Sequence, residues 1–271
     1  MTDNFRGGEI VDGAQSVRRA IAVLRLVATG QDQGVRLTDV ATLAGLKLPT
    51  ARRILKVLMD ETAVEQDATT RRYRVGNEIT LLGLARSGGV SMRVVVEPYL
   101  ASLAADEGDT VFLSVRHGAD SVCIARYLGS HTIQVLSIQV GARRPLGASV
   151  SGIILLAGMG KDEAEAMTRT NQKRLEAVGR SVKTVLAEVA EARRNGYSYA
   201  PDGVMSGTSA VAVPVTDAGG GTTAAISIAT LADRLRRDRV RHLVDKMRSN
   251  VARVTARLME IEQARATARR R

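Results

Sequence analysis

The chain has 271 residues, 45% of them apolar, enough to close the core of one large domain or two ordinary ones. Thirty-nine Lys and Arg against 28 Asp and Glu leave a net charge of +11, which puts a polyanion first among macromolecular partners. The single cysteine, Cys123, excludes an intrachain disulfide, and an aromatic content of 3% with no Trp argues against a stacking platform for single strands, so duplex DNA is the polyanion to expect.

Residues 1–16 are polar and lack an apolar signal core, and the longest apolar stretch, 153–157, is far too short to span a bilayer; the expectation is a cytoplasmic protein without membrane contact. Charge is uneven along the chain. Residues 1–90 carry 13 basic and 10 acidic side chains, residues 91–232 carry 13 of each, and residues 233–271 carry 13 and 5. Two readings stand for that +8 C-terminal segment, which ends Arg269-Arg270-Arg271: a solvated helix face with a frayed tail, or auxiliary phosphate contact.

In chain order, Val17, Ala20, Ile21, Leu24 and Val27 recur at helical spacing behind Ser16, a suitable N-cap. A second, short helix is expected over 38–44, capped by Thr38 and closed by Gly45, and a third over 49–61. On that third helix Ala51, Ile54, Leu55 and Leu58 share one side. Arg52, Arg53 and Lys56 point away from it, with Pro49 and Thr50 at the N-terminal end, where a helix-turn-helix meets base edges. An arginine fork suits guanine, whereas Lys56 suits phosphate. Residues 64–75 then read as a hairpin, Tyr73 and Val75 inward, Arg72 and Arg74 outward with Arg71 before them: a cationic wing.

Taken together, Leu37-Thr38-Asp39-Val40-Ala41, Ala44-Gly45-Leu46, Thr50, Arg53 to Leu58, Tyr73 to Gly76 and Leu81 to Leu84 resemble the DNA-binding half of the IclR family of bacterial transcription regulators. Arg53 falls on that family's recurrent recognition-helix arginine. Departures are Leu48 and Pro49, where the family commonly has Lys-Ser, and Thr62, where a glycine usually ends the helix.

Residues 76–87, apolar at Ile79, Leu82 and Ala85 with Leu81 and Leu84 flanking, are long enough for a further helix before Gly88 and Gly89. The resemblance implies a linker that helps pair two DNA-binding domains; the residues alone fit a core-packing helix equally well. Beyond it a helix over 98–107 and strands over 110–116, 121–127 and 133–138 suggest a meander. An apolar helix follows over 153–159, an amphipathic one over 181–195 ended by Gly196, and strands over 210–215 and 223–229 around Gly219-Gly220-Gly221. Helices on an antiparallel sheet make an α+β domain.

Residues 141–157, and Gly207 with 211–215 and Asp217, resemble the same family's effector-domain signatures. The resemblance implies a winged helix-turn-helix over 14–76, a linker helix over 77–90, a GAF-like α+β effector and oligomerisation domain over 91–265, and small organic or aromatic acids as effectors. Here the departures are Gly147 for a frequent histidine, Ile153-Ile154 for Lys-Ala, and Asp202 alone for an acidic pair.

A helix N-terminus at Ala148-Ser149-Val150-Ser151-Gly152 offers unpaired N–H groups and a favourable dipole to a carboxylate. Ser149 or Ser151 adds a hydroxyl, Ser227 is expected to face the same cavity, and Val211 and Val213 to supply apolar walls beside Ala148 and Val150. Cys123 reads as a small pocket or core residue, and Arg126, Arg143 and Arg144 are candidate charge partners or ordinary surface arginines. The competing view is a capped helix over core valines.

No complete nucleophile elbow, triad, metal-ligand spacing, P-loop or dinucleotide fingerprint occurs, so no catalytic residue, metal or cofactor is expected. The leading reading is a ligand-responsive regulator acting on palindromic duplex DNA as a homodimer or homotetramer. The alternatives are a non-sensing architectural duplex binder using the C-terminal segment, and a small-molecule enzyme fused to a DNA-binding module.

Overall fold

The computed structural model describes residues 14–85, 92–136, 138–217 and 219–269. The expectations for residues 1–13, for Gly88 and Gly89, and for Arg270 and Arg271 lie outside these. The chain divides into two compact units, residues 1–89 and 90–271.

In the first unit, α1 (Gln15–Thr29), α2 (Leu37–Leu43) and α3 (Leu48–Asp60) lead into the hairpin β1 (Val64–Gln66) and β2 (Tyr73–Val75) and then α4 (Asn77–Ala85). Val23, Val27, Val35, Val40, Leu55, Val64 and Tyr73 form its core, so α1, α2, α3 and the hairpin contribute to one apolar centre. Two Schellman closures shape the chain around α3. After α2, Gly45 takes a φ of +63° while the Leu46 N–H bonds Ala41 O at 2.9 Å, which turns the chain sharply into α3. After α3, Thr62 adopts a φ of +52° and the Ala63 N–H reaches Leu58 O at 2.9 Å. Thr62 therefore occupies a left-handed position that glycine fills without strain, which accounts for the family's preference.

Two expected caps are corrected. Ala14 precedes α1 and Arg36 precedes α2, neither with a side-chain cap bond, so Ser16 and Thr38 fall inside the first turns. Caps shifted by one or two residues are the weakest part of any helix boundary read from sequence.

The second unit is a six-stranded antiparallel sheet in the order β5-β4-β3-β8-β7-β6, with β3 (Thr110–His117), β4 (Asp120–Tyr127), β5 (Arg143–Pro145), β6 (Ser198–Ala200), β7 (Thr208–Thr216) and β8 (Thr222–Leu231). The sheet is two meanders, β3-β4-β5 and β6-β7-β8, joined where β8 returns to pair with β3. Of the strand expected over 133–138, the described residues 133–136 and 138 form none: the place beside β4 is taken by β5, and Val135 instead buries against Phe112, Cys123 and Ala229.

Alternation sends the sheet's side chains to two separate cores. On one face Val111, Leu113, Val211, Val213, Val215, Ile226 and Ile228 pack on α5 (Met92–Glu107) and the 33-residue α10 (Arg237–Arg269). Helix α5 starts six residues before Pro98, contrary to expectation, because Val96 buries in that core, with Val95 also buried, and holds the first turn helical through the proline. On the other face Ala212 and Ala225 meet α6 (Val150–Ala157) and α9 (Val182–Asn195). Residues 161–176, given no structure from sequence, form α7 (Lys161–Thr170) and α8 (Gln172–Glu176). At the sheet end, buried Asp109 accepts from Thr230 Oγ1 at 2.6 Å and pairs with Arg234 at 3.0 Å and Arg239 at 2.7 Å, satisfying a charge that could not be buried alone.

Candidate DNA-binding and effector sites

Helix α3 buries Ala51 and Leu55 and leaves Leu48, Pro49, Arg52, Arg53 and Lys56 exposed, lining a surface groove of about 340 Å³. Pro49 in the first turn fixes φ without sacrificing a helical hydrogen bond. Thr50 is half-buried beside this face, and Thr38 is exposed in the first turn of α2, its hydroxyl 3.4 Å from Asp39. Arg36 and Lys47, the exposed residues preceding α2 and α3, add two cations that sequence reasoning passed over. Their signal was available only as position, since an N-cap residue without a capping side chain looks like loop.

The wing is less open than expected. Arg71 is exposed, at a φ of +57° in the turn. Arg72 and Arg74 are half-buried: Arg72 Nη1 donates to Gly34 O at 3.1 Å, and Arg74 pairs with Asp67 at 3.4 Å. Asp67 also accepts from the Thr70 N–H and hydroxyl, both at 2.7 Å, and these bonds, with Arg74, hold its carboxyl below the usual range. Asp67 thus ties the turn together and draws Arg74 back along the hairpin.

In the second unit, Ser149 caps α6, its Oγ accepting from the Gly152 N–H at 3.3 Å. Gly147 before it has a φ of +97°, and a Cβ there would stand 2.7 Å from Val185 Cγ1 on α9, so a histidine at this position cannot fit this packing. Helix α6 is buried on nearly all sides, and Ser151 in its first turn donates to Ser227 Oγ on β8 at 3.0 Å. Phe112 and Ala212 are the ladder partners of Ser227 on β3 and β7, and Arg126 is that of Phe112 on β4, so all four share its face.

Ala148, Ser149, Val150, Ser151, Gly152, Ser227 and Cys123 therefore gather on the α6 side of the sheet. Val211 and Val213 do not: they pack on the α5 and α10 side and cannot wall the same cavity. Asp202 is exposed on the loop after β6. Cys123 is 2% exposed, its Sγ donating to Ala125 O at 3.4 Å, and burial pushes the thiol up to about 11, which makes it an inert packing group near neutrality.

The irregular stretch over this face is pinned to it. Arg126 Nη1 donates to Ile138 O at 3.3 Å, and Thr110 Oγ1 donates to Gln134 Oε1 at 2.8 Å. Arg126 is thus the candidate arginine that shares the serine face, whereas Arg143 lies 3.9 Å from Asp120, an aspartate also bonded to Arg174 at 2.6 Å. Val135, Ile138 and Val140 were missed as site residues because an irregular segment carries no periodicity from which to place it, and Phe112, on β3, because alternation does not say which side of the sheet meets α6.

Five of the C-terminal cations are engaged within the unit. Besides the two on Asp109, Arg248 donates to Asn195 O at 2.8 Å, Arg253 lies 5.0 Å from the Tyr99 ring centroid, and Arg257 pairs with Glu260 at 2.7 Å. Among the described residues no group of His, Cys, Asp and Glu could hold a metal, and no helix is long and apolar enough to cross a membrane.

Residues 16–68 match the IclR helix-turn-helix domain, and residues 88–256 match the bacterial transcriptional regulator IclR C-terminal domain. The chain belongs to the IclR family. Among curated IclR relatives, it is 28% identical over 223 residues to the HTH-type transcriptional regulator XynR of Escherichia coli K12, covering 82% of this chain and 88% of that one. The glycerol operon regulatory protein of Streptomyces coelicolor is 30% identical over 227 residues, 83% of this chain and 87% of that one. Among solved structures, a transcriptional regulator from Rhodococcus sp. RHA1 superposes with a TM-score of 0.68 at 28% identity, covering 91% of this chain and 99% of that chain. An IclR homologue from Microbacterium hydrocarbonoxydans, complexed with 4-hydroxybenzoate, shares the fold with a TM-score of 0.68 at 22% identity, covering 90% and 99%. The protein is an IclR-family transcriptional regulator, with a helix-turn-helix for DNA and an effector domain for a small molecule.

Proposed function

We propose that this regulator binds a palindromic operator as a homo-oligomer through the exposed face of α3 and releases or tightens it on binding a small organic acid under α6. The observation that carries the reading is the outward cationic face of α3, with Arg52, Arg53 and Lys56 exposed opposite a buried apolar side. One recognition helix covers too few base pairs for an address, so two half-sites about one helical turn apart, read by two copies, supply the specificity. Leu81 and Leu82 of α4 are 52% and 60% exposed, which favours a pairing role for that helix over core packing.

For the effector, the Ser151 and Ser227 hydroxyls and the N-terminus of α6 offer hydrogen bonds and a favourable dipole to a carboxylate. Arg126 on the same face adds a cation. The fold neighbour's 4-hydroxybenzoate makes aromatic carboxylates the first class to screen. Thermal-shift screening of aliphatic and aromatic acids against the full chain should give stabilising ligands. Each should change operator affinity by roughly 5- to 150-fold, about 1–3 kcal/mol of coupling. Ligands that stabilise the chain yet leave operator affinity unchanged contradict the coupling.

A further inference from the structure

Leu48 is the first residue of α3 and is 43% exposed. Leu46, Ile54 and Leu58 pack on the core of the helix-turn-helix unit, and Leu48 belongs to no such cluster. Its surroundings are the groove it lines with Pro49, Arg52, Arg53 and Lys56. Leu48 and Arg52 are four residues apart, so they stand on one side of the helix, one turn from each other. They occupy the end of α3 that a helix-turn-helix presents to base edges.

A leucine left in water among cations gains nothing from its own fold, and its apolar surface is satisfied only by an apolar partner. The charge of the surrounding groove selects duplex DNA as what covers it. In the major groove the base pairs present one apolar group, the C5-methyl of thymine. Four residues of helix rise about 6 Å, which spans roughly two base steps.

We infer that Leu48 reads a thymine methyl group, within about two base pairs of the base contacted by Arg52. The inference rests on the DNA-binding role proposed for α3 and adds a base identity that the cations cannot specify, since their forks favour guanine and phosphate.

The test uses a half-site selected by the full chain from a random duplex pool. Each thymine in it is replaced singly by deoxyuridine, which removes the methyl group and leaves the pairing edge intact. The wild-type chain should bind about fourfold more weakly at one such position, the factor expected for burying one methyl-sized group. Leu48→Ala should bind the thymine duplex weaker by a similar factor and no longer distinguish deoxyuridine there. Because Leu48 packs in no core, its thermal unfolding should match wild type. A selected half-site without thymine near the guanine, a wild-type chain indifferent to every methyl, or a Leu48→Ala chain that keeps full methyl sensitivity overturns the assignment. Failure to select any preferred sequence overturns the operator reading as well, and so separates the two.

Discussion

The hydroxyl of Ser151, in the first turn of α6, donates to the hydroxyl of Ser227 on β8 across 3.0 Å of otherwise apolar interior. Two buried hydroxyls that satisfy one another hold the helix N-terminus against the sheet, and they are also the polar groups available to an entering carboxylate. Removing either one strands its partner. Ser151→Ala or Ser227→Ala should therefore cost about 1–3 kcal/mol of stability, and the double variant less than the sum, because no hydroxyl is then left unpaired. Denaturant unfolding of the four chains measures this coupling; strict additivity would mean that the hydroxyls are solvated independently.

Thr62 at a φ of +52° is a β-branched residue in the left-handed region. Thr62→Gly should relieve that strain and raise stability by about 1 kcal/mol, despite the greater freedom of glycine in the unfolded chain. Chemical denaturation reads it directly, and a loss of stability would show that the threonine side chain contributes more than its backbone costs.

Cys123 gives the effector domain a pH signature. Burial pushes its thiol from the ordinary 9.0 up to about 11 when folded, so the folded state keeps the proton longer. Stability from this group is complete below pH 9 and is lost as pH rises towards 11, by about 3 kcal/mol at most. Unfolding free energies across pH 8–11 for wild type and Cys123→Ala should differ in slope over that window, and parallel curves would refute the burial. At pH 7.5 the native thiol should resist alkylation.

Lys56 stands on the exposed face of α3, where a point charge meets phosphate rather than a base. Lys56→Ala should weaken binding to all duplexes about equally and lower the log–log salt slope by about 1. Binding isotherms at several salt concentrations test this, and a change in sequence preference would assign Lys56 a base instead.

Helix α3 was readable because Ala51, Ile54, Leu55 and Leu58 recur at helical spacing, and the cations had only one face left. The strands over β3, β4, β7 and β8 were readable for the same reason at period two. Alternation does not say which side of a sheet a strand turns to a given helix, and so Val211 and Val213 were assigned to the serine cavity although they pack on α10. Ala212, the neighbour between them on the α6 side, is the β7 residue paired with Ser227. The strand expected over 133–138 is absent among its described residues because Val135 is placed by tertiary burial rather than by ladder pairing. The buried Asp109 network was invisible because its partners, Arg234 and Arg239, lie more than a hundred residues away in sequence.

The central claim is that α3 reads base edges through its exposed arginines, and footprinting of wild type and Arg53→Ala on the selected operator tests it most directly. Wild type should protect the palindrome. The variant should lose that protection, with specific affinity reduced by about 1–3 kcal/mol per half-site contact, while its acid binding is retained. An unchanged footprint for Arg53→Ala would contradict the account.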